Sequence, residues 1–213
     1  MRRLPVFILA DVSGSMLGEP IEAVRTGVQT MLSSLRQDPY ALETAYISII
    51  TFSDTAQTVV PLTELVSIQA PDFKAGGTTA LGAALKELAR SIERDVRKSS
   101  PEQKGDWKPL VFLLTDGAPT DNLQEGINEI RNAKIGTFVA CAAGPNADTT
   151  ELSKITESVV RLDTLDSNSV KSFFKWVSSS VSTSSQKIES GGVDLTKGLN
   201  ELPPPPPEVQ VVI

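Results

Sequence analysis

The chain has 213 residues, 40% of them hydrophobic and 22% charged, which suits one soluble domain long enough to bury a substantial core. Its formal net charge of −6 argues against a nucleic-acid phosphate backbone as partner. It has no histidine and a single cysteine, Cys141, which excludes an intrachain disulfide, a Ser-His or Cys-His nucleophile pair and the usual zinc ligands. Any metal chemistry here is oxygen chemistry.

Met1-Arg2-Arg3 ahead of an apolar run imitates a signal peptide. The run is short, however, and reaches Asp11 with no small-residue cleavage site before it. No stretch approaches the roughly 20 apolar residues that span a bilayer. The expected location is the cytoplasm, without direct membrane insertion, and a lone cysteine agrees with a reducing compartment.

Residues 4–10 form a near-continuous apolar run, the pattern of a strand covered on both faces. Over residues 20–36 the period changes, and Ile21, Val24, Val28, Met31, Leu32 and Leu35 make one helical stripe opened by Pro20. "AYISIITF", Ala45–Phe52, reads as a second strand, paired as a hairpin with a short third strand at residues 58–60. After Gly76-Gly77-Thr78-Thr79 a long helix turns Leu81, Leu85, Leu88, Ile92 and Val96 inward and a charged face outward. "LVFLLT", Leu110–Thr115, is a buried strand, followed by a helix at residues 123–133 and a strand at 136–142. A short helix near residues 151–156 leads to a weak strand, Val159–Leu162. The last helix presents Val170, Phe173, Phe174, Val177 and Val181.

Strands alternating with helices imply a doubly wound α/β domain, residues 1–183, with a mostly parallel sheet flanked by helices and one short antiparallel edge strand. Residues 184–213 read as a Ser/Gly-rich linker and an oligoproline tail. The five prolines at 203–207 predict a stiff polyproline spacer, about 15 Å long at roughly 3.1 Å per residue. Residues 208–213 could add as a strand to a sheet edge, their own or a partner's, or stay mobile.

In an open α/β sheet, ligands bind beyond the carboxyl ends of the strands. Asp11 and Asp116 each follow a buried strand directly, and the Gly-Gly-Thr-Thr turn opens a helix, so all three segments deliver oxygen ligands to one edge. Asp11-x-Ser13-x-Ser15, the Gly-Gly-Thr loop and Thr115-Asp116-Gly117 together resemble the metal-ion-dependent adhesion site (MIDAS) of von Willebrand factor type A (VWA) domains. More narrowly, "MRRLPVF", "GEPIEA", "QDPYALETAY", "GAPTDN" and the oligoproline tail resemble the TerY-type bacterial proteins of tellurite-resistance loci.

The resemblance implies a Rossmann-like VWA fold and a non-enzymatic, Mg²⁺-dependent protein-interaction module, with Mn²⁺ or Ca²⁺ as substitutes. It implies that Ser13 and Ser15 ligate the cation directly, joined by Thr78 in the ligand-competent state, with Asp11 and Asp116 acting through water. A partner's Asp or Glu carboxylate would complete the shell. Hydroxyl ligands leave the ion electrophilic, so the bound cation, not the acidic protein, sets the local charge. The TerY likeness further implies a bacterial stress-response setting with a protein kinase and phosphatase as partners and regulation by phosphorylation.

Other readings of these residues are structural. Thr78 or Thr79 could cap the helix that follows, and Asp121 is expected to cap the helix after "GAPT". Cys141 reads as a buried small hydrophobe, and Trp107 and Trp176 as packing residues. An alternative function is a Mg²⁺-dependent phosphohydrolase with Asp11 as nucleophile, although Ser13 stands where such enzymes carry a second Asp. A third is a structural subunit that binds through its tail.

Overall fold

The computed structural model describes residues 2–191 and 198–212. Seven strands form one sheet in the order β3-β2-β1-β4-β5-β6-β7. These are β1 (Leu4–Asp11), β2 (Ala45–Phe52), β3 (Ala56–Glu64), β4 (Leu110–Thr115), β5 (Thr137–Ala143), β6 (Val159–Leu162) and β7 (Gln210–Val211). β1 lies parallel to both β2 and β4, and β4, β5 and β6 continue the parallel run. The fold is the Rossmann-like α/β architecture that the alternating pattern predicts.

Period-two alternation explains why β1 is an unbroken apolar run. Leu4, Val6, Ile8 and Ala10 face one core, shared with helices α1 (Glu19–Leu35) and α6 (Ser167–Glu189). Phe7 and Leu9 face a second core, shared with α3 (Leu81–Asp95) and α4 (Leu123–Ile130). Both faces are therefore dry, and each strand position is apolar whichever way it points. Cys141 is fully buried in β5, as a small hydrophobe, and desolvation holds its thiol far above the ordinary range.

Several elements depart from the pattern. β3 has nine residues rather than three, because an edge strand with one wet face carries Gln57, Thr58 and Thr63 among its apolar positions. The six-residue helix α2 (Pro39–Thr44) is too short to show a period; it is fixed by the Asp38 carboxylate, which accepts from Tyr40 N and Ala41 N. The helix α5 (Thr149–Ser153) starts two residues early, behind Asp148 as its cap. α6 runs past residue 183 to Glu189, so the first residues of the expected linker, Ser184 and Ser185 among them, are helical. Its hydroxyls are satisfied inside the packing: Ser180 donates to Trp176 O, and Thr44 donates to Ser185 Oγ.

The tail returns to the domain. Leu202 and Val209 are buried in the α1–α6 core, and Trp176 Nε1 donates to Pro203 O at 2.8 Å. Gln210–Val211 then pairs antiparallel with β6. Of the two outcomes for residues 208–213, strand addition to the chain's own sheet occurs at β7; Ile213, like residues 192–197 of the linker, lies outside the described residues. The sheet thus has an antiparallel strand at each edge, β3 as expected and β7 in addition.

Candidate metal site

The strand order reverses between β1 and β4, which diverge in their onward connections and leave a crevice at their carboxyl ends. Ala10 is level with Leu114, so Asp11 and Asp116 emerge side by side. Asp11 is fully buried and both of its oxygens are engaged: Oδ1 accepts from Ser13 N at 2.8 Å, and Oδ2 accepts from Thr115 Oγ1 at 2.6 Å. Ser13 Oγ and Ser15 Oγ lie 3.0 Å apart, and Ser15 Oγ donates to Asp116 Oδ1 at 2.8 Å. Four of the five expected residues therefore form one continuous polar network.

Thr78 is not part of it. Its side chain is exposed, and both Thr78 N and Thr78 Oγ1 donate to Asp54 Oδ1, at 2.8 and 2.9 Å. These bonds hold the Asp54 carboxyl below its usual range. The Gly-Gly loop is nonetheless stapled to the site, through Gly14 N to Gly77 O at 2.9 Å and Gly76 N to Val12 O at 2.8 Å. Gly77 has φ 81°, and a Cβ there would stand 2.7 Å from the Asp54 carboxylate, so the position requires glycine. Thr79 is buried, with its hydroxyl against Gly117 on the Asp116 loop.

Two roles were not read from the sequence, although Thr115 stands in the Thr115-Asp116-Gly117 segment itself. Thr115 orients Asp11, and Asp54 orients Thr78. Thr115 is the last residue of a buried strand, where a hydroxyl among leucines was the available signal. Asp54 carried none, being one polar residue in a hairpin turn.

Asp121 differs from expectation. It caps α3 rather than α4, accepting from Gly82 N at 2.8 Å and Ala83 N at 2.7 Å, while Asn122 caps α4. Neither Thr78 nor Thr79 caps α3; its N-cap position is Ala80. The reason is spatial: the "GAPTDN" loop crosses the start of α3, and Thr120 N bonds Thr79 O. Asp121→Ala is expected to cost about 1 kcal/mol, read as a lower urea midpoint with an unchanged slope.

Burial pushes the Asp116 carboxyl above its usual range; the Ser15 hydrogen bond opposes this and the nearby Asp11 charge adds to it. Among the described residues there is no group of three or more His, Cys, Asp or Glu side chains that could hold a metal. A hydroxyl-rich set is the alternative: Ser13 and Ser15, hydrogen-bonded to each other at 3.0 Å, with the Asp116 carboxylate beside them.

The model of the von Willebrand factor type A domain family matches residues 6–188. Human inter-alpha-trypsin inhibitor heavy chain H6 is 28% identical over 170 residues, covering 73% of this chain, which spans only 12% of that protein. A von Willebrand factor type A structure from Catenulispora acidiphila superposes with a TM-score of 0.63 at 18% identity, over 85% of this chain and 43% of that one. Proximal thread matrix protein 1 from the mussel byssus, solved with a zinc-occupied MIDAS motif, gives a TM-score of 0.59 at 19% identity, over 84% and 48%. At these identities the structures establish the fold, and the family match extends over most of the chain. With the sheet order and the polar crevice between β1 and β4, this protein belongs to the von Willebrand factor type A domain family.

Proposed function

We propose that the β1/β4 crevice is a Mg²⁺-dependent site at which this chain binds a protein partner through an Asp or Glu carboxylate. VWA domains in general mediate metal-dependent protein–protein interaction. The observation that carries the reading here is the hydroxyl chain Ser13–Ser15–Asp116, set beside a buried Asp11, an all-oxygen set of the chemistry a hard cation takes. Ser13 and Ser15 are the direct ligands in this reading, with Asp11 and Asp116 behind them. The zinc-occupied MIDAS motif of the mussel relative supports divalent binding at a site of this kind.

When bound, the cation supplies a positive, electrophilic centre for an acidic ligand group. The chain's own residues do the rest. Thr115 and Ser13 N hold the Asp11 carboxylate in place, and Ser15 is turned toward Asp116. Thr78 joins the set only by leaving Asp54, which makes that pair the element that ligand binding would reset. Beside the loop, Leu17 is 63% exposed and offers an apolar contact to a protein ligand.

An interaction role suits Asp11 better than a nucleophilic one, since both carboxylate oxygens already accept hydrogen bonds and the side chain is fully buried. We place the protein in a cytoplasmic, bacterial tellurite-resistance or stress-response system, regulated by phosphorylation through a kinase and phosphatase. The TerY-like segments support this placement. Among the described residues no helix is long and apolar enough to cross a membrane.

The test is calorimetric titration of Mg²⁺ into the chain and into Ser13→Ala, followed by partner capture in Mg²⁺ and in EDTA. Saturable Mg²⁺ binding that weakens at least tenfold in the variant is the expected result. Equal titrations of the two proteins would sink the assignment.

A further inference from the structure

The opposite end of the sheet carries a second polar feature. A cleft of about 650 Å³ lies below the starts of β1 and β4, between the end of α3 and the turn after α4. In a chain of net charge −6, five cationic side chains line it, Arg2, Arg97, Lys98, Lys108 and Lys134, against two carboxylates, Glu93 and Asp106. Both carboxylates are already committed. Asp106 is gripped by Arg3 at 2.5 Å and accepts from Arg97 N at 2.8 Å, while Glu93 pairs with Lys98 at 2.5 Å. The Arg97 and Lys134 side chains have no carboxylate partner among the described residues.

The cleft is built rather than incidental. Arg2 is fixed by hydrogen bonds from Nε to Gly105 O at 2.7 Å and from Nη2 to Asp106 O at 3.2 Å. Its guanidinium carbon sits 3.7 Å from the Trp107 ring centroid. Gly105 lets the loop pass close to residues 97–99, where a Cβ would meet Arg97 O at 2.5 Å. Trp107 lines the cleft, and its indole packs against the α1–α6 core as well as the Arg2 guanidinium.

We infer that this cleft binds a phosphate monoester or a comparably small, multiply charged oxyanion, with Arg97 and Lys134 supplying charge beside the fixed Arg2 guanidinium. A single carboxylate would leave most of the positive charge unmatched. A long polyanion would run onto the acidic remainder of the surface, whereas the cleft volume lies in the range of small-ligand sites, about 300–1,000 Å³. The site is at the far end of the sheet from Asp11 and Asp116, so occupancy there does not depend on the metal reading.

The two indole N–H resonances of the full chain test this directly. Trp107 reports on the cleft, and Trp176, whose Nε1 is bonded to Pro203 O, is the internal control. Inorganic phosphate and a phosphoserine peptide are titrated separately, in EDTA and at ionic strength held constant with chloride. The Trp107 resonance is expected to shift saturably while Trp176 stays in place. In the exposed double variant Arg97→Glu/Lys134→Glu, binding should weaken about tenfold or more. Tighter titration by the peptide assigns the phosphate to a protein-borne source, and equal titration assigns it to a free anion. A Trp107 shift no larger than chloride produces, or one unchanged in the double variant, overturns the proposal.

Discussion

Asp116→Asn is expected to raise the melting temperature of the metal-free chain while abolishing its response to Mg²⁺. Burial raises the folded-state pKa of this carboxyl above its unfolded value. The ionised group therefore destabilises the fold at neutral pH. That penalty fades as pH falls through the folded pKa, where the native state takes up the proton first. Asparagine removes the charge and keeps an oxygen to accept from Ser15. Relief of about 1 kcal/mol corresponds to about 2–4 °C for a domain of this size. In the wild type, Mg²⁺ at a hundred times its Kd should add about 2.7 kcal/mol, and the variant should show none of it. The same shift means that Mg²⁺ affinity declines on acidification before an ordinary carboxylate would titrate. A lower melting temperature for the variant in EDTA would show that Asp116 holds the loop together and is not kept at a cost for binding.

Gly126→Ala should be among the most damaging single methyl additions in the molecule. A Cβ at Gly126 would lie 2.5 Å from Gly82 O and 2.9 Å from Gly82 Cα, and one at Gly82 would lie 2.5 Å from Asn122 O. The obstacles are backbone atoms, so no rotamer change relieves them and α3 must move away from α4. The start of α3 also carries Thr79 and the Asp121 cap, and any displacement reaches the metal-site loop. A loss of about 3 kcal/mol, or about 6–12 °C, is expected by calorimetry. Gly76→Ala is the control, since nothing lies within 4 Å of its added carbon. If the two variants melted together, the helix spacing would not be enforced by these glycines.

The strands covered on both faces were legible because nearly all of their positions are apolar. Ala45–Phe52, Leu110–Thr115 and Val159–Leu162 coincide with the observed elements. β3, wet on one side, and α2, too short for a period, were not legible for the converse reason. α6 concealed its last turns behind serines whose hydroxyls bond back to the helix itself. At the site, residue type and strand ends identified which three segments converge. The pairings within them depend on contacts that no local pattern marks, such as Thr115 with Asp11 and Asp121 with the first turn of α3. Two consecutive threonines in one loop point to different neighbours, and spacing alone does not say which hydroxyl faces the crevice.

The antiparallel strands at both margins bear on how the molecule behaves when concentrated. An unpaired, apolar margin strand is a template for other chains and a route to aggregation. On one side β3 interrupts such a template with Pro61 and with its register shifts against β2. On the other, β6 buries Val159, Val160 and Leu162 around a partly exposed Arg161, and the ladder to β7 together with Val212 N to Val159 O covers its free side. Removing residues 202–212 would bare that side, and light scattering would then report self-association of a chain that otherwise stays dispersed. The proline-rich tail thus acts as a guard on solubility, with its prolines unable to donate to a ladder and its last residues closing the one that is there.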